Sequence, residues 1–194
     1  MHISSDSRIV RFVTGLTASV LAALVLSGCY TVGHVHLATS YGPSYVAYVS
    51  RDGSMPTEVF GNPFGDDNQA DSKLVSTITL PNGHGAKPAH IVTAKDRAEG
   101  HRMVLVFNPE DKLIDGDKAC EKTRFGTRPA DDTFIIQAAL CSHSKVISEA
   151  RAEGPSASSI DDQRFQKMMY SLLAELLPQR EGSRPYPCKN SDCS

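Results

Sequence analysis

Phe165, Met168, Met169, Leu172, Leu173, Leu176 and Leu177 recur at intervals of three and four residues near the end of the chain. That spacing gathers all seven on one side of a helix. Asp161 or Asp162 stands where it can cap the first turn, and Pro178 stops the last. A helix with so wide an apolar stripe must bury it against another layer, so the chain is bound to fold with at least two layers. Burying six or seven such side chains contributes about 10–15 kcal/mol before entropy. The stripe is therefore read as core, in preference to a surface for a partner. Residues 103–107, Met-Val-Leu-Val-Phe, form a near-continuous apolar run, as expected of a central strand covered on both faces.

Other elements follow from local pattern. Residues 45–50 alternate as a first strand would. Residues 51–67 contain Gly53, Pro56, Gly61, Pro63 and Gly65, and predict a long ordered loop or arm. A helix is expected over 68–79, with Ala70, Leu74, Val75 and Ile78 on one face and Pro81 ending it. Residues 89–94 and 102–108 read as two strands joined by a charged hairpin loop that ends at Gly100. Residues 133–141 and 145–152 form a further hairpin across Ser142-His143-Ser144. The expected order is β-α-β-β-β-β-α, an α+β fold. It would be a mostly antiparallel four- to five-stranded sheet with two helices packed on one face. Residues 45–178 would form this single domain, with a tether over 29–44 and a Pro- and Cys-containing tail over 179–194. No internal repeat is present.

The first 28 residues have a different character. Arg8 and Arg11 make a positive start, and residues 12–26 supply an apolar run of about 15 residues, short for a membrane span. The run finishes in Leu26-Ser27-Gly28-Cys29, which resembles the lipobox of bacterial lipoproteins: a branched residue and two small ones before a cysteine. The resemblance implies cleavage of a signal peptide, 1–28, and attachment of diacylglycerol to the Cys29 thiol. The competing reading is an ordinary secretory signal with a chance cysteine at its end. At about 0.8 kcal/mol per buried CH₂, two or three long acyl chains hold a protein on a membrane by more than about 20 kcal/mol. Tyr30, rather than Asp, follows the cysteine. By the same resemblance this favours the outer membrane, with the domain facing the periplasm and surface exposure still open.

The cysteine count fits export. Cys29 set aside for lipid, Cys120, Cys141, Cys188 and Cys193 remain, an even number suited to an oxidising compartment. Of three possible pairings, Cys120–Cys141 and Cys188–Cys193 are expected. The first closes a loop worth about 3 kcal/mol on the chain-entropy estimate. A zinc site is the alternative, but the spacing lacks CxxC or Cys/His pairs. No metal or cofactor is expected.

Charge narrows the partners. The whole chain carries a formal charge of −2, and losing Asp6, Arg8 and Arg11 takes it to −3. Basic residues are scattered among acids with no patch for a phosphate backbone, so no nucleic acid is expected. Tryptophan is absent and aromatics are few, which weakens carbohydrate stacking.

Several short motifs invite chemistry and have plainer readings. Ser142-His143-Ser144-Lys145 matches SxxK, where a lysine amine could activate a serine, but it falls on a hairpin turn without companion motifs. His34-x-His36 could offer two imidazoles to a metal if its segment were a strand, since alternate residues share a face; solvated tether histidines are the simpler view. His84 between two glycines reads as a turn residue. Asn62-Pro63-Phe64 reads as a turn whose Asn bonds backbone and whose Phe plugs the core. The acid pairs Asp66-Asp67, Asp131-Asp132 and Asp161-Asp162 lack the spaced oxygens of a calcium loop and fit loops and helix caps. No catalytic residue is assigned.

From residue 51 onward the chain resembles small uncharacterised lipoproteins of proteobacteria. The features that carry this are Gly61-Asn62-Pro63-Phe64-Gly65, the stretch Val104-Leu105-Val106-Phe107-Asn108-Pro109, and Cys120 with Cys141. The resemblance implies class and location. The expectation is a non-enzymatic accessory or scaffold protein, anchored through Cys29 and binding another envelope protein. The alternative is a periplasmic ligand binder or enzyme with a pocket near loops 51–67 and 81–88.

Overall fold

The structure, a computed structural model, describes residues 29–81, 87–90, 100–111, 113–121, 124–129 and 132–179. Among them, six strands form one mixed sheet: β1 (Thr31–Leu37), β2 (Ser54–Phe60), β3 (Lys87–His90), β4 (His101–Phe107), β5 (Thr133–Ser142) and β6 (Lys145–Pro155). Four helices accompany it: α1 (Pro43–Val49), α2 (Asn68–Thr77), α3 (Gly116–Glu121) and α4 (Gln163–Leu176). The strand order is β1-β6-β5-β4-β2-β3. The β1–β6, β6–β5 and β5–β4 pairs are antiparallel, and β2 runs parallel to both β4 and β3. The fold is α+β, but the expected sheet of four or five mostly antiparallel strands with two helices on one face is overturned.

Each departure has a local cause. The segment expected as a tether contains β1. It pairs with β6 from Thr31 opposite Glu153 to Leu37 opposite Ser148. As an edge strand it is mostly exposed or half-exposed, so it lacks the apolar run that marks a buried strand. Residues 45–50 belong to a helix. Pro43 opens α1, a position that suits its fixed φ and missing N–H, and Val46 and Val49, three apart, are both buried. Period two over six residues had imitated a strand.

Residues 51–67 hold β2. Its Pro56 precedes the ladder to β4, which begins at Thr57 opposite Met103, so the missing donor disturbs only one neighbour. Parallel pairing of β2 with β3 requires a crossover, and α2 supplies it. β3 and β4 therefore flank β2 and do not form the expected hairpin; residues 91–99 between them lie outside the described residues.

Other expectations match. Asp67 caps α2, its carboxylate accepting the Ala70 N–H at 2.7 Å. The β5–β6 hairpin forms across the turn at His143 and Ser144, with a register shift in its ladder at Leu140/Cys141. Asp162 caps α4, accepting the Arg164 N–H at 2.8 Å, and Phe165, Met168, Met169, Leu172, Leu173 and Leu176 are all buried.

Helices cover both faces of the sheet. On one side α1, α2 and α4 enclose the larger core, which takes Met103, Leu105 and Phe107 from β4. On the other, α3 closes a smaller core on Val104, Val106, Ala139 and Cys141. Beyond Arg102, β4 alternates between the two, which is why residues 103–107 are all apolar. The disulfide Cys120–Cys141 staples α3 to β5, with Cα atoms 5.6 Å apart. The expected Cys188–Cys193 pair lies outside the described residues.

Candidate functional site

Two regions gather the functional side chains. The first is the N-terminal end of β1. Cys29 is exposed with a free thiol. Tyr30 is fastened to the body: its hydroxyl lies 2.8 Å from Ser171 Oγ on α4. Its Cβ lies where a side chain at Gly154 would fall, 2.7 Å from an added Cβ, with Met168 Sδ at 3.2 Å from the same point. Only glycine at 154 lets Tyr30 approach so closely. A groove of about 560 Å³ opens beside it, bounded by Tyr30, Ile78, Thr79, Lys167, Met169 and Tyr170.

The second region is a cleft on the α3 side of the sheet, where β1 runs beside β6. β1 bulges between Gly33 and His36, and His34 adopts φ 50°, a left-handed conformation uncommon outside glycine. Bulges re-aim side chains at sheet edges, and here His34 and His36 both line a cleft of about 410 Å³. Asp115 and Lys118 face them from the start of α3, and Glu149 and Arg151 from β6. Gln137 forms the floor. Its Oε1 accepts the Ile114 N–H at 2.9 Å, and its Nε2 donates to the Ile114 carbonyl.

The electrostatics of the cleft are mixed. Burial pushes the Glu149 carboxyl above its usual pKa, opposed by His36 and by the Gly116 N–H, while Asp115 and Asp117 add to the rise. Asp117, just outside, is held below the usual range by the Val146 N–H and by Lys145. Arg151 Nη2 donates to Glu153 at 2.8 Å, whereas its Nε is buried without a hydrogen-bond partner. Val35 and Leu113 rim the opening, 42% and 54% exposed. Two imidazoles, a spare guanidinium N–H and a carboxylate of raised pKa can together bind a polar ligand. Among the described residues, no group of three or more His, Cys, Asp or Glu side chains is arranged to hold a metal.

The flagged motifs separate clearly. His34 and His36 lie on a strand and not on a solvated tether, and it is the bulge, not regular alternation, that brings both to one cleft along with Val35. Lys145 of the SxxK motif donates to Asp117 at 3.3 Å. His143 sits in the turn at φ 56°, with its ring against Gly100 and 5.1 Å from the ring of His101. Asn62 Oδ1 accepts the Phe64 N–H at 3.0 Å. Phe64 packs on Phe134 and Phe165, the turn-and-plug role expected. His84, Asp131, Cys188 and Cys193 lie outside the described residues.

Sequence reading missed Glu149, Arg151 and the buried pair of Arg102 with Glu58. Nothing in the local pattern marks them, because each gains its role from a neighbour on another strand. A third cavity, of about 380 Å³, includes Asn108, Arg128, Asp132 and Glu153. None of the three cavities takes a lining residue from 51–67 or from the described parts of 81–88. Among the described residues, no helix is long and apolar enough to cross a membrane.

No known family matches the sequence, and no curated protein does. Among solved structures, the fold is similar to dodecameric PelC from Paraburkholderia phytofirmans. A point variant of PelC is 14% identical, with 77% of this chain and 98% of that chain covered and a TM-score of 0.41. A second PelC structure is 18% identical, with 78% and 100% covered and a TM-score of 0.40. Likeness at that level identifies neither a shared site nor a shared role.

Proposed function

We propose that this protein is a lipid-anchored, non-enzymatic accessory of the bacterial cell envelope, held on the periplasmic side of the outer membrane and serving as a scaffold for another envelope protein. The observation that carries the reading is the stretch Leu26-Ser27-Gly28-Cys29, which resembles a lipobox and closes an apolar run resembling an export signal, with Cys29 exposed and outside the disulfide. A disulfide within the smaller core agrees with an oxidising compartment. The rim of Val35 and Leu113 offers a partner apolar contact.

Intact mass spectrometry of the protein from its native envelope tests the anchor: the expected product begins at an acylated Cys29. In-cell cross-linking from Leu113 tests the scaffold role, and the expected result is one reproducible envelope protein. An unmodified Cys29, or cross-links to no protein, would sink the respective half.

A second reading, a periplasmic ligand binder, draws on the unpartnered Arg151 Nε inside the polar cleft. It moves the pocket away from loops 51–67 and 81–88. A small polar ligand whose binding is lost in Arg151→Met and retained in Leu113→Ala would favour it over the scaffold.

A further inference from the structure

We propose that the exposed face of α4 beside Tyr30, carrying Lys167 and Tyr170, rests on the headgroup layer of the bilayer to which Cys29 is attached. The inference depends on the lipid-anchor reading above and adds the surface by which the domain meets its membrane.

The argument begins with the length of free chain. A residue bearing acyl chains sits at headgroup level, and that layer is about 5–8 Å deep on each side of the hydrocarbon. Tyr30 follows Cys29 by one Cα step of about 3.8 Å, and Tyr30 is already part of the folded body. Its hydroxyl meets Ser171 on α4 and its Cβ lies against Gly154 and Met168. The body has no slack with which to stand away from the bilayer. Whatever surrounds Tyr30 on the surface is brought against lipid.

What surrounds it is α4. Ser171 holds Tyr30, Tyr170 is its chain neighbour and 50% exposed, and Lys167 lies one turn earlier on the same exposed side. The groove of about 560 Å³ separates this helix from Ile78 and Thr79, with Tyr30 at its edge. The chemistry fits a bilayer surface. A tyrosine presents an apolar ring and a polar tip, and a lysine lays its methylene stem on apolar surface while the ammonium reaches phosphate. The opposite face of the sheet, with α3, Leu113 and the polar cleft, is then directed away from the bilayer.

The chain contains no tryptophan, so Tyr170→Trp installs a single indole, excited at the red edge of its band where the remaining tyrosines do not absorb. The full chain is produced with its own export signal, purified, and reconstituted into phosphatidylcholine vesicles carrying bromine near the headgroup end of the acyl chains. Tyr170→Trp is expected to lose most of its emission relative to unbrominated vesicles, and Leu113→Trp to keep nearly all of it. Lys167→Trp, one turn away, supplies the same readout should the first variant fold poorly. Intact mass is measured on each sample. Acylated protein with equal quenching at 170 and 113, or none at 170 and 167, overturns the docking face and leaves the anchor standing. Protein that inserts without acylation, or reaches the membrane unacylated, overturns the anchor reading and this inference with it.

Discussion

Arg102 joins three separate parts of the fold through one guanidinium. Nε donates to Glu58 Oε2 at 2.8 Å on β2, Nη2 to the Cys120 carbonyl at 2.6 Å on α3, and Nη1 to the His143 carbonyl at 3.3 Å in the β5–β6 turn. Both charged side chains are nearly buried, 9% and 2% exposed. Removing one partner leaves a carboxylate in a poor dielectric, so Arg102→Ala should cost about 3–5 kcal/mol in urea unfolding. Glu149 argues the other way. Its folded pKa is raised by burial, so its contribution is fully present below the ordinary value of 4.5 and lost as pH rises through the folded value. Glu149→Gln should therefore stabilise the protein at pH 7, with the gain vanishing at pH 4; paired denaturation curves check both. Asp162 has the opposite sign. Arg164 and its own backbone bonds hold it below 3.8, so its stabilisation exists above that pH and disappears as the folded group protonates. Asp162→Ala should cost about 1 kcal/mol at pH 7 through loss of the cap, and the deficit should shrink on acidification below 3.8.

Elements show where sequence patterns suffice. α4 was legible because seven apolar residues repeat with one period and a capping Asp precedes them. β4 was legible because both its faces are covered. β1, α1 and β2 were not. An edge strand needs only backbone partners on one side, a seven-residue helix can imitate alternation, and Pro56 conceals a strand when its position lies ahead of one of the two ladders. Of the cleft, only the His34 and His36 pair could be seen in advance, since Glu149 and Arg151 arrive through strand pairing. α3 depends most on its surroundings. Six residues are too few for a helix to persist alone, and the Cys120–Cys141 bond fixes its last turn to β5. A double Cys120→Ser, Cys141→Ser variant should lose about 3 kcal/mol. Hydrogen exchange should rise first in α3, ahead of β4 and β5.

At the scale of the whole molecule, one sheet lies between two unequal layers, and its margins are guarded differently. The β3 margin is four residues long and contains Pro88. The β1 margin is longer and is broken by the bulge between Gly33 and His36. Removing residues 29–37 would uncover the eleven-residue β6, a long edge with unpaired N–H and C=O groups. That truncated protein should form concentration-dependent oligomers on size exclusion, while the intact chain keeps its size over the same range. A kinked outer strand and a proline opposite it deny fibril-like stacking a flat template at either border. Among the described residues, neither border invites crowded copies to zip together, and a companion finds more to hold in the side chains than in the strand edges.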